Sequence, residues 1–497
     1  MRSAIVTEAS DQRAVWRQRL WLGLGAILVV RLIALAYNRT DLFFDEAQYW
    51  TWSLEPAFGY YSKPPLIAWA IALSTGVCGA SEVCIRLPSP IIHTATAAVM
   101  FALGRRLYSA RTGFLAALAF ATLPGISLSA GIISTDVPLL LCWAMALLGF
   151  TAMLREREAT WPALLLGAGL GLGLNAKYAM AYFVLCAGIY IAMSPHRRWV
   201  LRDRRLWLGL AIGVGLIAPN LIWNASNGFA TFTHTADNAK WGGALFHPGK
   251  ALEFFGAQFG VFGPVMFGAL LVAAWRWWKV GLGDTERLLL AFCLPILAIV
   301  TLQAFISRAH ANWAAPAYIS ATVLVVAALE REAESRWLRA SFWINGVVMA
   351  LMILAVSLAG RISLPGAGDP FARTLGWKEV AAATRAKLDA ARILGKPFGA
   401  VITDERALTA ELLYYMRGES TPVLAWLGRS RPQDHYELKR PFVAGSPEPV
   451  LLVALRADSG PILDRFERTQ QMTREELSAG RAKRRVTFFT LSGFRGH

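Results

Sequence analysis

The sequence predicts an α-helical polytopic membrane protein of about 11 transmembrane helices with a small C-terminal α/β domain outside the bilayer. Three observations carry this reading. Of the 497 residues, 55% are hydrophobic, and they gather into runs such as 206-LWLGLAIGVGLIAPNLIW-223. Such runs approach the roughly 20 residues that cross a hydrocarbon core. Short Arg clusters lie between the runs, as in cytoplasmic loops. After Arg361 the composition changes to the mixed apolar and polar pattern of a water-exposed domain.

The first run, 21–37, follows Arg13, Arg17 and Arg19 and lacks a small-residue cleavage site, so it reads as an uncleaved span. Later basic clusters, among them Arg105/Arg106/Arg111, Arg197/Arg198/Arg202/Arg204/Arg205 and Arg276/Lys279/Arg287, are expected on the cytoplasmic side, with two spans between successive clusters. Three runs separate Arg19 from Arg105, and the shortest, 65–79, is expected to lie in the interface. Residues 38–87 then form one large periplasmic loop carrying interfacial helices. The other expected spans are 88–104, 112–130, 135–154, 161–176, 178–194, 206–223, 257–275, 288–306, 312–329 and 340–360, which puts the C-terminus outside. The expected division is a membrane domain at 1–361 and a periplasmic α/β domain at 362–497. In the latter, 399–418 reads as strand, turn and helix, and 449–455 and 486–491 read as further strands.

A net charge of +17 invites a nucleic-acid reading, but the placement of the basic residues between apolar runs speaks for topology instead. No nucleic-acid partner is expected; the bilayer is. Cys142, Cys186 and Cys293 fall in apolar runs and read as small core residues. Cys78 and Cys84, on the expected oxidising side, leave two readings open, a disulfide or two thiols. No His/Cys metal spacing occurs.

The chemistry-bearing residues fall in the expected outer loops. Asp45 and Glu46 follow Phe43 and Phe44 at the membrane edge, where a carboxylate is costly to place. They read either as a general base or cation ligand, or as helix N-terminal charges with Asp45 as the cap. Lys63, in 60-YYSKPPL-66 with Tyr60 and Tyr61, reads as a phosphate ligand or as a side chain snorkelling to headgroups. Asp136 precedes an apolar run, where Ser134, Thr135 or Asp136 itself would serve as a cap. Two further loops hold His234, Asp237 and Lys240, and Arg308 and His310. Together they put acids, bases and aromatics on one side of the membrane.

The order of Asp45-Glu46, Tyr61-Ser62-Lys63-Pro64-Pro65, 86-RLPS-89, 103-LGRRLYSARTG-113 and Ser134-Thr135-Asp136 resembles the bacterial polyprenyl-phosphate-dependent glycosyltransferases of the GT-C fold. These are the lipid A aminoarabinose transferases and relatives of the protein O-mannosyltransferases, of the family 39/83 type. The resemblance is strongest over 38–140 and reaches the tail at Gly376-Trp377, Asp404 and Tyr414-Tyr415. It implies an inverting transfer of a sugar from a polyprenyl-phosphate donor to an envelope acceptor, with lipid A or lipopolysaccharide favoured over an exported protein. By similarity Asp45 is the catalytic carboxylate with Glu46 beside it, and Asp136 is a further functional acid. Lys63 binds the donor phosphate, with Arg308, His234 and Lys240 as further donor contacts, and Tyr60, Tyr61 and His310 line the substrate pocket. Ser62 departs from the Glu of the aminoarabinose transferases, which speaks against an amine-bearing donor. No cofactor is required when Lys and Arg supply the positive charge, although Asp45 and Glu46 suit a divalent cation. The rival class is a lipid or solute transporter. Against it, the chain shows no internal repeat, and its ionisable residues lie at the outer edge, Arg31 excepted.

Overall fold

The computed structural model describes residues 2–239, 245–281, 283–331, 335–362, 369–429 and 431–496. The chain divides into two compact units. The first comprises Met1–Ala36, Lys63–Ile67 and Arg86–Ile353, and the second Tyr37–Ser62, Ala68–Ile85 and Leu354–His497.

The first unit is helical. Among the described residues, six helices are long and apolar enough to cross a membrane: Ala14–Ala36, Glu82–Leu107, Asp136–Met153, Arg204–Ser226, Asp284–Ile306 and Ser335–Ser357. Other expected spans form shorter apolar helices, Ala110–Thr122, Trp161–Ala176, Tyr178–Met193 and Ala317–Glu330. The run 257–275, expected as one span, is corrected: Pro248–Val261 and Pro264–Arg276 meet at 115°, with Gly263 at φ 88° in the break. A left-handed residue followed by proline cannot continue a helix. The run at 65–79 forms the helix Leu66–Cys78, too short at 13 residues to span.

Small residues let the helices approach closely. A Cβ on Gly113 would lie 2.4 Å from the Phe101 carbonyl oxygen, so only glycine allows the contact between Ala110–Thr122 and Pro88–Leu107. Aromatic rings fill the interior, where Phe183 meets Phe292 at 4.8 Å and Trp143 at 5.3 Å. Arg31 is buried, and its guanidinium donates to the Ala121 carbonyl of a neighbouring helix. Several of the basic loop residues meet acids: Arg106 pairs with Glu156, Arg111 with Glu330, and Arg197 with Asp284.

The second unit is built on a six-stranded sheet: β1 (Ala400–Thr403), β2 (Val423–Trp426), β3 (Pro441–Phe442), β4 (Val450–Ala454), β5 (Phe466–Ala479) and β6 (Ala482–Phe494). Their order is β3-β2-β1-β4-β6-β5. The first four are parallel, and β6 and β5 extend the sheet antiparallel. The expected strand-turn-helix at 399–418 is β1 and the helix Arg406–Tyr415, and the expected amphipathic segment is the helix Trp377–Ile393. Central β1 and β4 are buried along their whole length, as continuous apolar strands of a parallel sheet are.

The residues of the first loop that belong to this unit are tied to the tail by polar clasps. The Trp377 N–H donates to Asp41 Oδ2 at 2.9 Å, and Lys378 Nζ reaches Asp41 and Glu82 at 3.1 and 2.9 Å. Tyr415 Oη donates to Glu82 at 2.6 Å and accepts the Leu42 N–H at 2.8 Å. Burial first, then the Glu82 and Asp41 charges, raises the Tyr415 pKa, so the phenol stays protonated as that donation requires. Tyr414 Oη donates to the Ala80 carbonyl at 3.0 Å. Cys78 and Cys84 form a disulfide within the loop.

Candidate active site

In the second unit, the helix Phe44–Ser53 begins directly at the expected carboxylate pair, earlier than the Ala47 start that capping by Asp45 would need. Glu46, 1% exposed, turns back to accept the Phe43 N–H at 2.9 Å. Glu46 therefore serves the helix N-terminus, and the capping reading of Asp45 is corrected. The Asp45 side chain keeps 38% of its surface exposed and pairs with Arg406 at 2.9 Å. The same Arg406 nitrogen donates to Gln48, and its guanidinium lies 4.9 Å from the centre of the Phe44 ring. One carboxylate of the pair is thus buried and structural, while the other is open and held by a guanidinium.

Tyr60 and Tyr61 lie in the interior of this unit. Tyr60 stacks on Trp52 at 4.6 Å, and its hydroxyl donates to the Trp52 carbonyl at 2.9 Å and accepts the Ala57 N–H at 3.1 Å. Tyr61 donates to the Pro432 carbonyl at 2.8 Å. With their hydroxyls so engaged, both help shape the loop. Ser62 accepts from Gln48 Nε2 at 3.4 Å.

In the first unit, Asp136 opens the helix Asp136–Met153, and neither it nor Thr135 caps that helix. Its two oxygens are held instead by Lys177 Nζ and Asn312 Nδ2, each at 2.6 Å. The carboxylate is buried, and so must be paired to be tolerated. Arg308 follows buried Ser307, and its Nε is buried without a hydrogen-bond partner among the described residues. His310 is exposed and meets the Trp313 ring at 5.4 Å. His234 lies on the helix Ala230–Ala239, where the sequence reading had a loop; Lys240 falls outside the described residues. Lys63 belongs to this unit. Among the described residues, no three His, Cys, Asp or Glu side chains converge as a group that could hold a metal ion.

Sequence reasoning missed Lys177, Asn312 and Arg406. A signal for Lys177 existed, since it is the lone charge between the runs 161–176 and 178–194. Arg406, 361 residues from Asp45, had none.

Residues 62–223 match the family model described as dolichyl-phosphate-mannose-protein mannosyltransferase. The lipid A galacturonosyltransferase RgtD of Rhizobium johnstonii is 36% identical over 413 residues, 82% of this chain and 84% of that protein. The chain belongs to the bacterial GT-C glycosyltransferase family. Its fold matches that of ArnT from Cupriavidus metallidurans, both in the apo state (TM-score 0.64, 15% identity, 95% and 98% of the two chains) and bound to undecaprenyl phosphate (TM-score 0.65, 14% identity, 94% and 97%). This GT-C protein is a multi-pass membrane glycosyltransferase.

Proposed function

We propose that this glycosyltransferase moves a uronic acid from a polyprenyl-phosphate carrier to lipid A at the periplasmic face of the inner membrane. The similarity to RgtD, extending over four-fifths of both chains, carries the reading. Ser62 supports it: an acid there would favour an amine-bearing sugar, and a hydroxyl leaves room for a carboxylate-bearing one. The paired Cys78 and Cys84 support an oxidising compartment for the first loop, and the Arg clusters support the opposite side for the intervening loops.

In this reading Asp45 is the general base. It takes the proton of the acceptor hydroxyl as that oxygen attacks the anomeric carbon. The bond from that carbon to the phosphate oxygen breaks on the opposite face, the configuration inverts, and the electron pair leaves with polyprenyl phosphate. Arg406 fixes the orientation of the base. Lys63 and Arg308 receive the growing phosphate charge; the buried Nε of Arg308, without a hydrogen-bond partner among the described residues, is a donor suited to an anion. Asp136, locked by Lys177 and Asn312, positions the segment that carries Arg308 and His310.

The test is a transfer assay in detergent with polyprenyl-phosphate galacturonic acid and lipid A. Wild type should transfer, and Asp45→Asn should lose about 10²–10⁴-fold in kcat. Lys63→Ala should weaken use of the donor. Full activity in Asp45→Asn would remove the base assignment. Transfer to exported protein in place of lipid A would move the acceptor to the protein O-glycosyltransferase class.

A further inference from the structure

The second unit contains a cleft of about 550 Å³, within the range of roughly 300–1,000 Å³ typical of small-molecule sites. It lies where the topology favours a ligand. From β1 the chain passes through Arg406–Tyr415 to β2 and through His435–Lys439 to β3, all on one side, whereas β4 pairs with the other side of β1. The strand order therefore reverses at β1 and β4, and the cleft opens at their carboxyl ends, where open parallel sheets take their ligands. Its walls include Asp404 after β1, Arg456 after β4, Trp426 at the end of β2, and Glu405, Arg406 and Arg429.

Asp404 is 6% exposed. Its Oδ2 accepts the N–H groups of Leu455 and Arg456 at 3.0 and 2.8 Å, which locks the carboxylate across the switch point. Its Oδ1 is buried with no hydrogen-bond partner among the described residues. A buried carboxylate oxygen left unmatched is costly, and a donor from a ligand would satisfy it. Asp434 and Glu437 on the same wall are already engaged, with the N–H groups of Tyr436 and Glu437 and of Gln433. Carboxylates, guanidiniums and one indole thus line the same cleft. That set suits a polyhydroxylated ring with anionic substituents: carboxylates accept from hydroxyls, and guanidiniums bind phosphate. An acyl chain would leave Asp404 Oδ1 unmatched.

We propose that this cleft binds the phosphorylated saccharide headgroup of the acceptor; the assignment of that headgroup rests on the lipid A reading above. One observation selects the acceptor over the donor sugar. Arg406 and Phe44 line the cleft, and Arg406 grips Asp45, so a ligand here lies beside the base that must reach its hydroxyl.

The experiment uses the full chain in detergent and two readouts. One is initial rate against lipid A at saturating donor. The other is calorimetric binding of the water-soluble glucosamine disaccharide bisphosphate, which needs no turnover. Arg456→Ala removes an exposed side chain, and Asp404→Asn keeps an oxygen for the two backbone N–H groups. Each should raise the acceptor KM and the disaccharide Kd by about tenfold, the loss of one charge-assisted hydrogen bond. The donor KM and kcat should stay within about twofold. Wild-type acceptor KM and disaccharide Kd in the folded Arg456→Ala variant would overturn the proposal, as would a wild-type protein that does not bind the disaccharide. A wild type that binds the disaccharide through Arg456 but transfers nothing to lipid A would instead sink the functional reading and leave the cleft standing.

Discussion

At Gly113 in the membrane unit, the backbone of one helix lies so close to the next that a single added carbon would press on the Phe101 carbonyl. At Asp41 in the second unit, a buried carboxylate receives a backbone N–H from Trp377, 336 residues away, and an ammonium from Lys378 beside it. The first unit is held largely by shape, through small residues and close-packed rings within an apolar interior, with polar knots made between neighbouring helices by side chains and backbone carbonyls. The second is held by directional bonds across long stretches of chain. In a bilayer there is no hydrophobic force between helices, so close approach and the matching of polar groups have to replace it. In the second unit, hydrophobic burial in the sheet supplies the stability and polar clasps supply the register.

The largest expected stability effect tests whether the Asp136 knot belongs to the shape-held unit or is an exception within it. Lys177→Met leaves the buried Asp136 with Asn312 alone and should cost about 3–5 kcal/mol. Lys177→Met with Asp136→Leu should recover most of that loss in thermal unfolding of the detergent-solubilised protein. A single variant as stable as wild type would show that the knot contributes nothing to the fold.

Tyr415→Phe probes the clasp. It removes the donor to Glu82 and the acceptor of the Leu42 N–H together, and should cost about 1–3 kcal/mol. Limited proteolysis after Tyr37 should accelerate, because the first loop loses one of its ties. Gly113→Ala is the counterpart in the membrane unit, at about 1–3 kcal/mol from overpacking against backbone. Its effect should be insensitive to ionic strength, whereas weakening the Lys378 pairs with salt should shift the second unit alone.

How much of this was legible in the sequence follows the same division. Apolar runs and Arg clusters marked the membrane helices, because spanning a bilayer is a local property of about 20 residues. The break at Gly263–Pro264 was equally local and was missed, since the apolar pattern continues through it. Asp45 stood out as a carboxylate beside aromatics, but that Glu46 and not Asp45 serves the helix N-terminus depended on where the helix starts, a matter of a few residues. Arg406 was invisible: nothing near residue 406 records a partner 361 positions earlier. The strands β2, β3 and β5 were missed as well. β2 and β3 are short, and β5 is largely exposed, with the polar composition of an edge.

The smallest expected effect is a pH dependence confined to the second unit. His435 lies against the Trp52 and Tyr60 rings, and burial, followed by the Lys439 and Arg440 charges, lowers its pKa to about 4. The unfolded chain binds that proton near pH 6.5, so between about 6.5 and 4 the unfolded state holds more protons. The contribution is therefore complete above pH 6.5 and falls as the solution is acidified through that window, by on the order of 1–2 kcal/mol once partial exposure is discounted. Burial raises Asp404, Glu405, Asp434 and Glu437, whose stabilising effect runs the other way and is present at low pH. Unfolding of the full chain followed from pH 7 to pH 4 should thus show a loss that His435→Gln removes, leaving the opposite slope of the four carboxyl groups. If the variant keeps the wild-type profile, the imidazole is protonated in the folded protein and its place against the two rings is not the dry one described.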